Sequence, residues 1–447
     1  MLQSPKKHEL KGRTMINSFK LRTMLMILFE LAAVAGFCEI CNGMHPEGNM
    51  QELCKRNSLS NGFFGLNDKV TDSGLEFNLS YTQLYQQNVH GGLSTHRRAG
   101  RVTGSYDLEL SIDAKKLLGI EGGKFYILSE GGFSDGIDAP SVGSYFGVNA
   151  DASGNRSMDI TELWYEQSMF DNKLKIRFGK LDLTGGFECR GCPVSFDGSS
   201  YANDETTQFL NSALGNNPTI PFPDNGLGAI VHYNPIEWWY FSAGIADAHA
   251  DARETGFATT FRGDSHFFSI IETGVTPQLD SKNGPLQGAY RIGLWYDPQP
   301  KANTDLADAG ESYRNDTGFY TSCDQMLFKE NADAEDTQGL GTFFRYGYAP
   351  SKTNDMTHFW SGGFQYQGLF EGRDNDVLGV GFAHGTFSNK ASATYTEDYE
   401  SILEVYYDME ITPWCHISPD LQYVSNPGGV KGVSDAIVLG VRVQISL

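Results

Sequence analysis

The chain has 447 residues, with 34 basic against 55 acidic side chains and a net charge of −21. That surplus of carboxylates offers no cationic footprint to nucleic acid, and beyond residue 37 no apolar run approaches the ~18 residues of a membrane-spanning helix. Gly (51), Phe (29) and Tyr (21) are abundant while only 20% of residues are charged, a composition suited to strands and turns rather than helices.

At the amino terminus Lys6, Lys7, Lys11, Arg13, Lys20 and Arg22 precede an apolar stretch from Leu25 to Gly36, and Ala33-Val34-Ala35 offers a small-x-small cleavage site. This is the layout of a secretory signal over residues 1–35, with Met15 as an alternative start and Glu30 as an irregularity. Residues 36–74 then read as a periplasmic segment, in which Cys38, Cys41 and Cys54 suggest a tie. In an exported protein seven cysteines tend toward disulfides. Cys189 and Cys192 are expected to close a small ring that stiffens a loop. Half a zinc knuckle is the alternative, but no second Cys or His pair sits at partnering distance. The odd total leaves at least one thiol free or available for a disulfide to another envelope protein.

From residue 75 onward the dominant signal is alternation. Leu75, Phe77, Leu79 and Tyr81 oppose Glu76, Asn78, Ser80 and Thr82, and Tyr106, Leu108, Leu110 and Ile112 oppose Asp107, Glu109, Ser111 and Asp113. Leu174, Ile176 and Phe178 oppose Lys175 and Arg177. Tyr290, Ile292, Leu294 and Tyr296 oppose Arg291, Gly293, Trp295 and Asp297. Side chains alternate across a strand, so each segment has one apolar and one polar face. The pattern predicts strands near 75–85, 104–113, 124–131, 159–168, 174–183, 227–234, 238–247 and 267–276. Eight more follow near 288–297, 318–328, 342–349, 359–370, 377–387, 401–412, 416–425 and 436–447. In the stretch 401–412, Glu404, Asp408 and Glu410 share one face, which is costly in a packed core and comfortable in a water-filled lumen.

An even set of about 16 strands, each long enough to cross an outer membrane when tilted, predicts an all-β fold: a transmembrane antiparallel β-barrel over residues 75–447. Short connections at 171–172, 234–237 and 412–415 alternate with long ones at 86–103, 132–158, 184–226, 248–266 and 298–317. Short periplasmic turns and long external loops are how such barrels are built; around 329–358 the alternation blurs. A soluble sandwich shares the alternation, but in lipid every backbone polar group needs an internal partner, which closure supplies. The strand number, loop asymmetry and export signal place the chain in the bacterial outer membrane, reached through the periplasm.

Several strings resemble the OprB-type carbohydrate-selective porins. They are Gly65-Leu66-Asn67-Asp68-Lys69-Val70 with Gly74-Leu75-Glu76-Phe77, Leu163-Trp164-Tyr165-Glu166-Gln167 through Phe178-Gly179-Lys180-Leu181-Asp182, Phe209-Leu210-Asn211-Ser212 and Asp324-Gln325-Met326-Leu327. The carboxy-terminal series is the most specific: Leu403–Tyr407, Thr412-Pro413-Trp414, Pro419-Asp420-Leu421-Gln422-Tyr423, Asn426-Pro427-Gly428-Gly429 and Asp435–Gly440. The resemblance covers residues 61–447 in order. It implies an outer-membrane channel through which sugars and ions diffuse passively, seated in outer-membrane lipid and commonly trimeric. Leu447 departs from the terminal Phe usual in such barrels, as do the Cys189/Cys192 pair and the acidic balance.

A diffusive channel needs a wet, narrow, polar lumen rather than a nucleophile, a metal or a cofactor. The longest connection, 184–226, stiffened by Pro218, Pro221 and Pro223, is expected to fold inward and narrow the pore; an outward surface loop is the alternative. By strand phase Glu162, Trp164, Glu166, Arg291, Trp295 and Arg442 point inward as candidates for contact with sugar. Asp107, Glu109, Asp113, Glu404, Asp408 and Glu410 point the same way and predict a modest preference for cations. No Gly-x-Ser-x-Gly elbow, His-Glu-x-x-His or phosphate-binding glycine loop is present, so no catalytic residues are assigned. A disulfide-linked structural or adhesive barrel is the alternative function.

Overall fold

A computed structural model describes residues 49–152, 154–188, 208–251, 259–261, 265–305, 308, 310–333 and 336–447. The expected signal segment over residues 1–35, with Cys38, Cys41, Cys189 and Cys192, lies outside the described residues. The barrel strands are β1 Leu75–Gly92, β2 Gly100–Asp113, β3 Gly123–Phe133, β4 Arg156–Met169, β5 Leu174–Leu181, β6 Gly226–Ile236, β7 Trp239–Asp247 and β8 Phe267–Val275. They continue as β9 Leu286–Asp297, β10 Asp316–Lys329, β11 Gly339–Tyr348, β12 Met356–Gln367, β13 Val377–Phe387, β14 Tyr399–Thr412, β15 Cys415–Ser425 and β16 Ser434–Ser446. Each pairs antiparallel with the next, and β16 pairs back onto β1, with Ser80 opposite Ser446 and Gln86 opposite Gly440. The result is a closed 16-strand barrel, so closure leaves the barrel wall with no free edge strand.

The alternation in the sequence sorts side chains between lipid and lumen. Ile292 and Leu294 are 54% and 53% exposed on the outer wall, while their neighbours Arg291 and Trp295 are 3% and 2% exposed inside. Aromatic rings gather at both rims of the outer wall. Phe319, Tyr346, Tyr348 and His358 contact one another toward the external loops. Trp238 and Trp239 lie at the β6–β7 turn, where an amphipathic ring suits the membrane–water interface.

Several strand boundaries differ from those the alternation predicts, most of all at β1 and β2. β1 and β2 run well past residues 85 and 104, leaving only 93–99 as a connection. Polar residues there read as loop, yet Gln86 and Asn88 are interior strand positions whose amides donate to Val148 O (2.7 Å) and Ser141 O (3.1 Å) of a loop inside the barrel. β12 is shifted toward the amino terminus, and Phe370 sits in the turn after it rather than on the strand. The periplasmic turns at 114–122, 276–285, 330–338 and 368–376 are as long as the external connections at 93–99 and 349–355, so loop length alone does not report the side of the membrane here.

Beneath the barrel, residues 49–74 form short helical turns that dock on its periplasmic end. Leu59 N donates to Ser446 O (2.8 Å), and the Trp414 indole donates to Leu53 O (2.9 Å). The Asn67 side chain pairs with both backbone groups of Phe77. Cys54 is disulfide-bonded, while Cys323 and Cys415 are free thiols.

The upper half of the barrel is not an open tube. The described parts of two connections, 134–152 and 182–188 with 208–225, turn inward and bury apolar side chains against the wall. One cluster joins Val142, Phe146, Phe209 and Leu214 from the loops to Phe359, Phe387, Ile402 and Val438. The other joins Leu183, Phe187 and Ile220 to Phe268, Trp295 and Tyr320. Burying such side chains contributes roughly 1.5–3 kcal/mol each, which holds the loops without any need for regular structure.

Candidate functional site

The interior has two unlike walls. On β8–β16 the inward side chains are covered by the two loops: Glu272, Arg291, Asp324, Arg345, Glu404 and Arg442 are each under 6% exposed. On β2–β5 they keep access to water. Asp107, Glu109, Glu130, Asp159, Glu162 and Glu166 stay partly exposed there, alongside Lys124, Lys175 and Arg177. Acids outnumber bases along this path, and low-dielectric walls focus their field into the gap.

The sugar-contact candidates divide between these walls. Glu162 accepts from the Trp164 indole (2.8 Å), and Glu166 is paired with Arg177 Nη2 at 2.9 Å. Trp164 is only 7% exposed. The Arg177 guanidinium lies over its ring at 4.0 Å, and Tyr126 stacks against it at 4.8 Å. Little of that ring is left to stack on a solute, since a cation already uses its π face. Arg291 is paired with Asp324 at 2.6 Å and also donates to Ser322 Oγ (3.3 Å). Trp295 is packed with Phe268 in the second apolar cluster. Arg442 donates to Gln208 O at 2.6 Å and lies 3.6 Å from Asp151, so it ties both inward loops together.

The acidic candidates divide in the same way. Asp107 stays on the open wall and accepts from Ser80 (3.2 Å); Glu109 and Asp113 share its strand face. The carboxylate of Glu404 accepts Leu210 N (2.5 Å) and Asn211 N (2.9 Å) and is fully buried. Asp408 accepts from Ser418 (2.7 Å) and lies 3.0 Å from His416 Nδ1, and Glu410 accepts from Asn375 (2.9 Å).

Several residues that place the loops carry no motif in the sequence. Glu272 accepts from Tyr240 (2.5 Å), Tyr320 (2.7 Å) and the backbone N–H of Glu188 (2.9 Å). Its position on the inward face of β8 is readable from strand phase; its partner in a distant loop is not. Glu188 accepts from Asn217 (3.2 Å). Burial pushes its carboxyl up to about 7, against the pull of the Arg345 guanidinium. In the other loop burial, and then Glu400, push Asp138 up to about 7 in spite of the hydrogen bond from Ser144 N.

Residues 97–447 match the model of a protein family described as "Carbohydrate-selective porin, OprB family". The chain is 24% identical to Porin B of Pseudomonas aeruginosa over 85% of its length and 89% of that protein. It is 23% identical to the putative porin QuiX of Acinetobacter baylyi, over 86% and 91%. Among solved structures it is similar to the high-pH structure of Pseudomonas putida OprB, with a TM-score of 0.75 at 21% identity, covering 88% of this chain and 99% of that one. These likenesses carry the channel reading and not the adhesin one.

Proposed function

The chain belongs to the OprB family of carbohydrate-selective porins, and from that premise we propose that small sugars cross through the gap between the two inward loops and the acidic wall of β2–β5. The barrel is a channel for carbohydrates in the bacterial outer membrane, and diffusion through it asks only for a wet passage of limited width. The observation that supports this path is the contrast in exposure between the two walls: partly exposed carboxylates on β2–β5, fully buried ones beneath the loops.

Along this path Glu162, Glu166, Arg177, Asp107 and Glu109 are the groups that meet hydroxyls. Charged groups make the stronger hydrogen bonds to such a ligand. The excess of acids favours small cations over anions. Arg291, Trp295 and Arg442 support the loops from behind, and Trp164 supports the position of Arg177. A homotrimer in the lipid plane is the assembly we expect, and cross-linking in native membranes tests it.

Liposome swelling with purified protein tests the main reading. Glucose and arabinose are expected to enter with a sharp size limit, and a salt gradient to give a cation-selective reversal potential. Absence of swelling from a folded barrel removes the sugar path, and an anion-selective potential removes the acidic wall as its lining.

A further inference from the structure

β14 carries two inward glutamates four residues apart, Glu400 and Glu404, and both are fully buried. Neither faces water, and neither is matched with a cation in an ion pair among the described residues. Each is instead filled with donors from loop segments far away in sequence. Glu400 accepts Ser144 Oγ (2.6 Å), Tyr145 N (2.8 Å) and Phe146 N (3.2 Å) from the 134–155 loop, and Gly428 N (2.5 Å) from the β15–β16 connection. Glu404 accepts two successive backbone amides of the 182–225 loop, at Leu210 and Asn211. The loops also pair with each other, Ala150 N with Leu210 O (2.8 Å) and Ser212 N with Gly147 O (3.2 Å).

We propose that Glu400 and Glu404 are positioning residues that set the width of the sugar path: one strand holds both inward loops at a fixed distance from the opposite wall. The inference rests on the porin reading above. The physical reason lies in the donors. Backbone N–H groups of an irregular loop inside a barrel have no ladder to join, and an unpaired buried N–H costs about 1–3 kcal/mol. A carboxyl group supplies two oxygens with several acceptor directions, so one side chain can receive amides from more than one position of a loop. Burying so polar a group is tolerable only because it is so fully hydrogen-bonded. Residues i and i+4 face the same way on a strand and lie about 13 Å apart, a spacing that stacks the two loops one above the other.

The test compares wild type with Glu404→Ala, Glu400→Ala and Glu404→Gln, each purified from outer membranes, with heat-modifiable mobility as the check that the barrel is intact. Swelling rates are read for a monosaccharide, a disaccharide and a trisaccharide, together with single-channel conductance. Glu404→Ala is expected to raise the trisaccharide-to-monosaccharide rate ratio by about twofold or more and to add conductance flicker. Glu400→Ala is expected to act in the same direction. Glu404→Gln keeps the volume but offers one carbonyl to two donors, so its ratio should fall between. A merely structural role would lower the yield of folded barrel without moving that ratio. If neither alanine variant inserts, Glu404→Gln carries the test and must still raise the ratio. Ratios equal to wild type in every variant that inserts overturn the proposal. Wild type that does not swell in glucose removes the porin reading itself, which is a different outcome.

Discussion

Arg291 and Arg177 show how far the meaning of a charged residue depends on what stands next to it. Both lie on inward strand faces. Arg291 is buried against Asp324 at 2.6 Å, whereas Arg177 lies across Trp164 on the wet wall. Removing one member of a buried pair strands the other charge, so Arg291→Ala is expected to destabilise the barrel by about 3–5 kcal/mol, measurable as a shifted guanidinium midpoint in detergent micelles. Arg177→Ala should leave that midpoint nearly unchanged. It should instead move the reversal potential further toward cations, because it takes a positive charge out of the acidic path. A stable Arg291→Ala barrel, or an unmoved potential in Arg177→Ala, would count against these placements.

In the proposed path the inward loops are the elements that limit the width of the pore. Gly381 on β13 marks where one of them presses closest. A Cβ added there would stand 2.7 Å from Leu214 Cδ1 and 2.9 Å from the Phe209 ring. Gly381→Val is therefore expected to push the loop off its own wall toward β2–β5 and lower the size limit, read by the same swelling series; an unchanged size limit would mean that the loop repacks around the methyls. Each loop also carries a carboxyl raised to about 7, Asp138 in one and Glu188 in the other. A carboxyl with a raised pKa in the docked state binds its proton more tightly there than when released. Docking is therefore firmest below the ordinary carboxylate range and weakens as pH rises toward 7. Amide exchange within 136–148 and 208–220 should be slower at pH 5 than at pH 8 after correction for intrinsic rates. Equal protection at both values would show that these two groups do not govern docking.

At the scale of the whole molecule, the barrel and its contents are separable. The strand-to-strand ladders run only between neighbours and the closing pair β1–β16, so excising residues 186–221 in favour of a short linker is expected to leave a heat-modifiable barrel that passes sugars without a size limit. Failure of that variant to assemble would show that the loop is needed for closure. All sixteen strands were legible in the sequence because a lipid-facing wall must be apolar at every second position. The side chains that phase assigns to the interior, such as Trp295, Arg442 and Glu404, are indeed inside. Phase alone could not divide the interior into a wet wall and a covered one. That division depends on where the loops 134–155 and 182–225 come to rest, through contacts such as Glu404 with Leu210 across 194 positions of chain. Period and composition are local and report the solvent on each side of a strand; which buried carboxylate meets which distant amide is set only when the closed barrel brings them together.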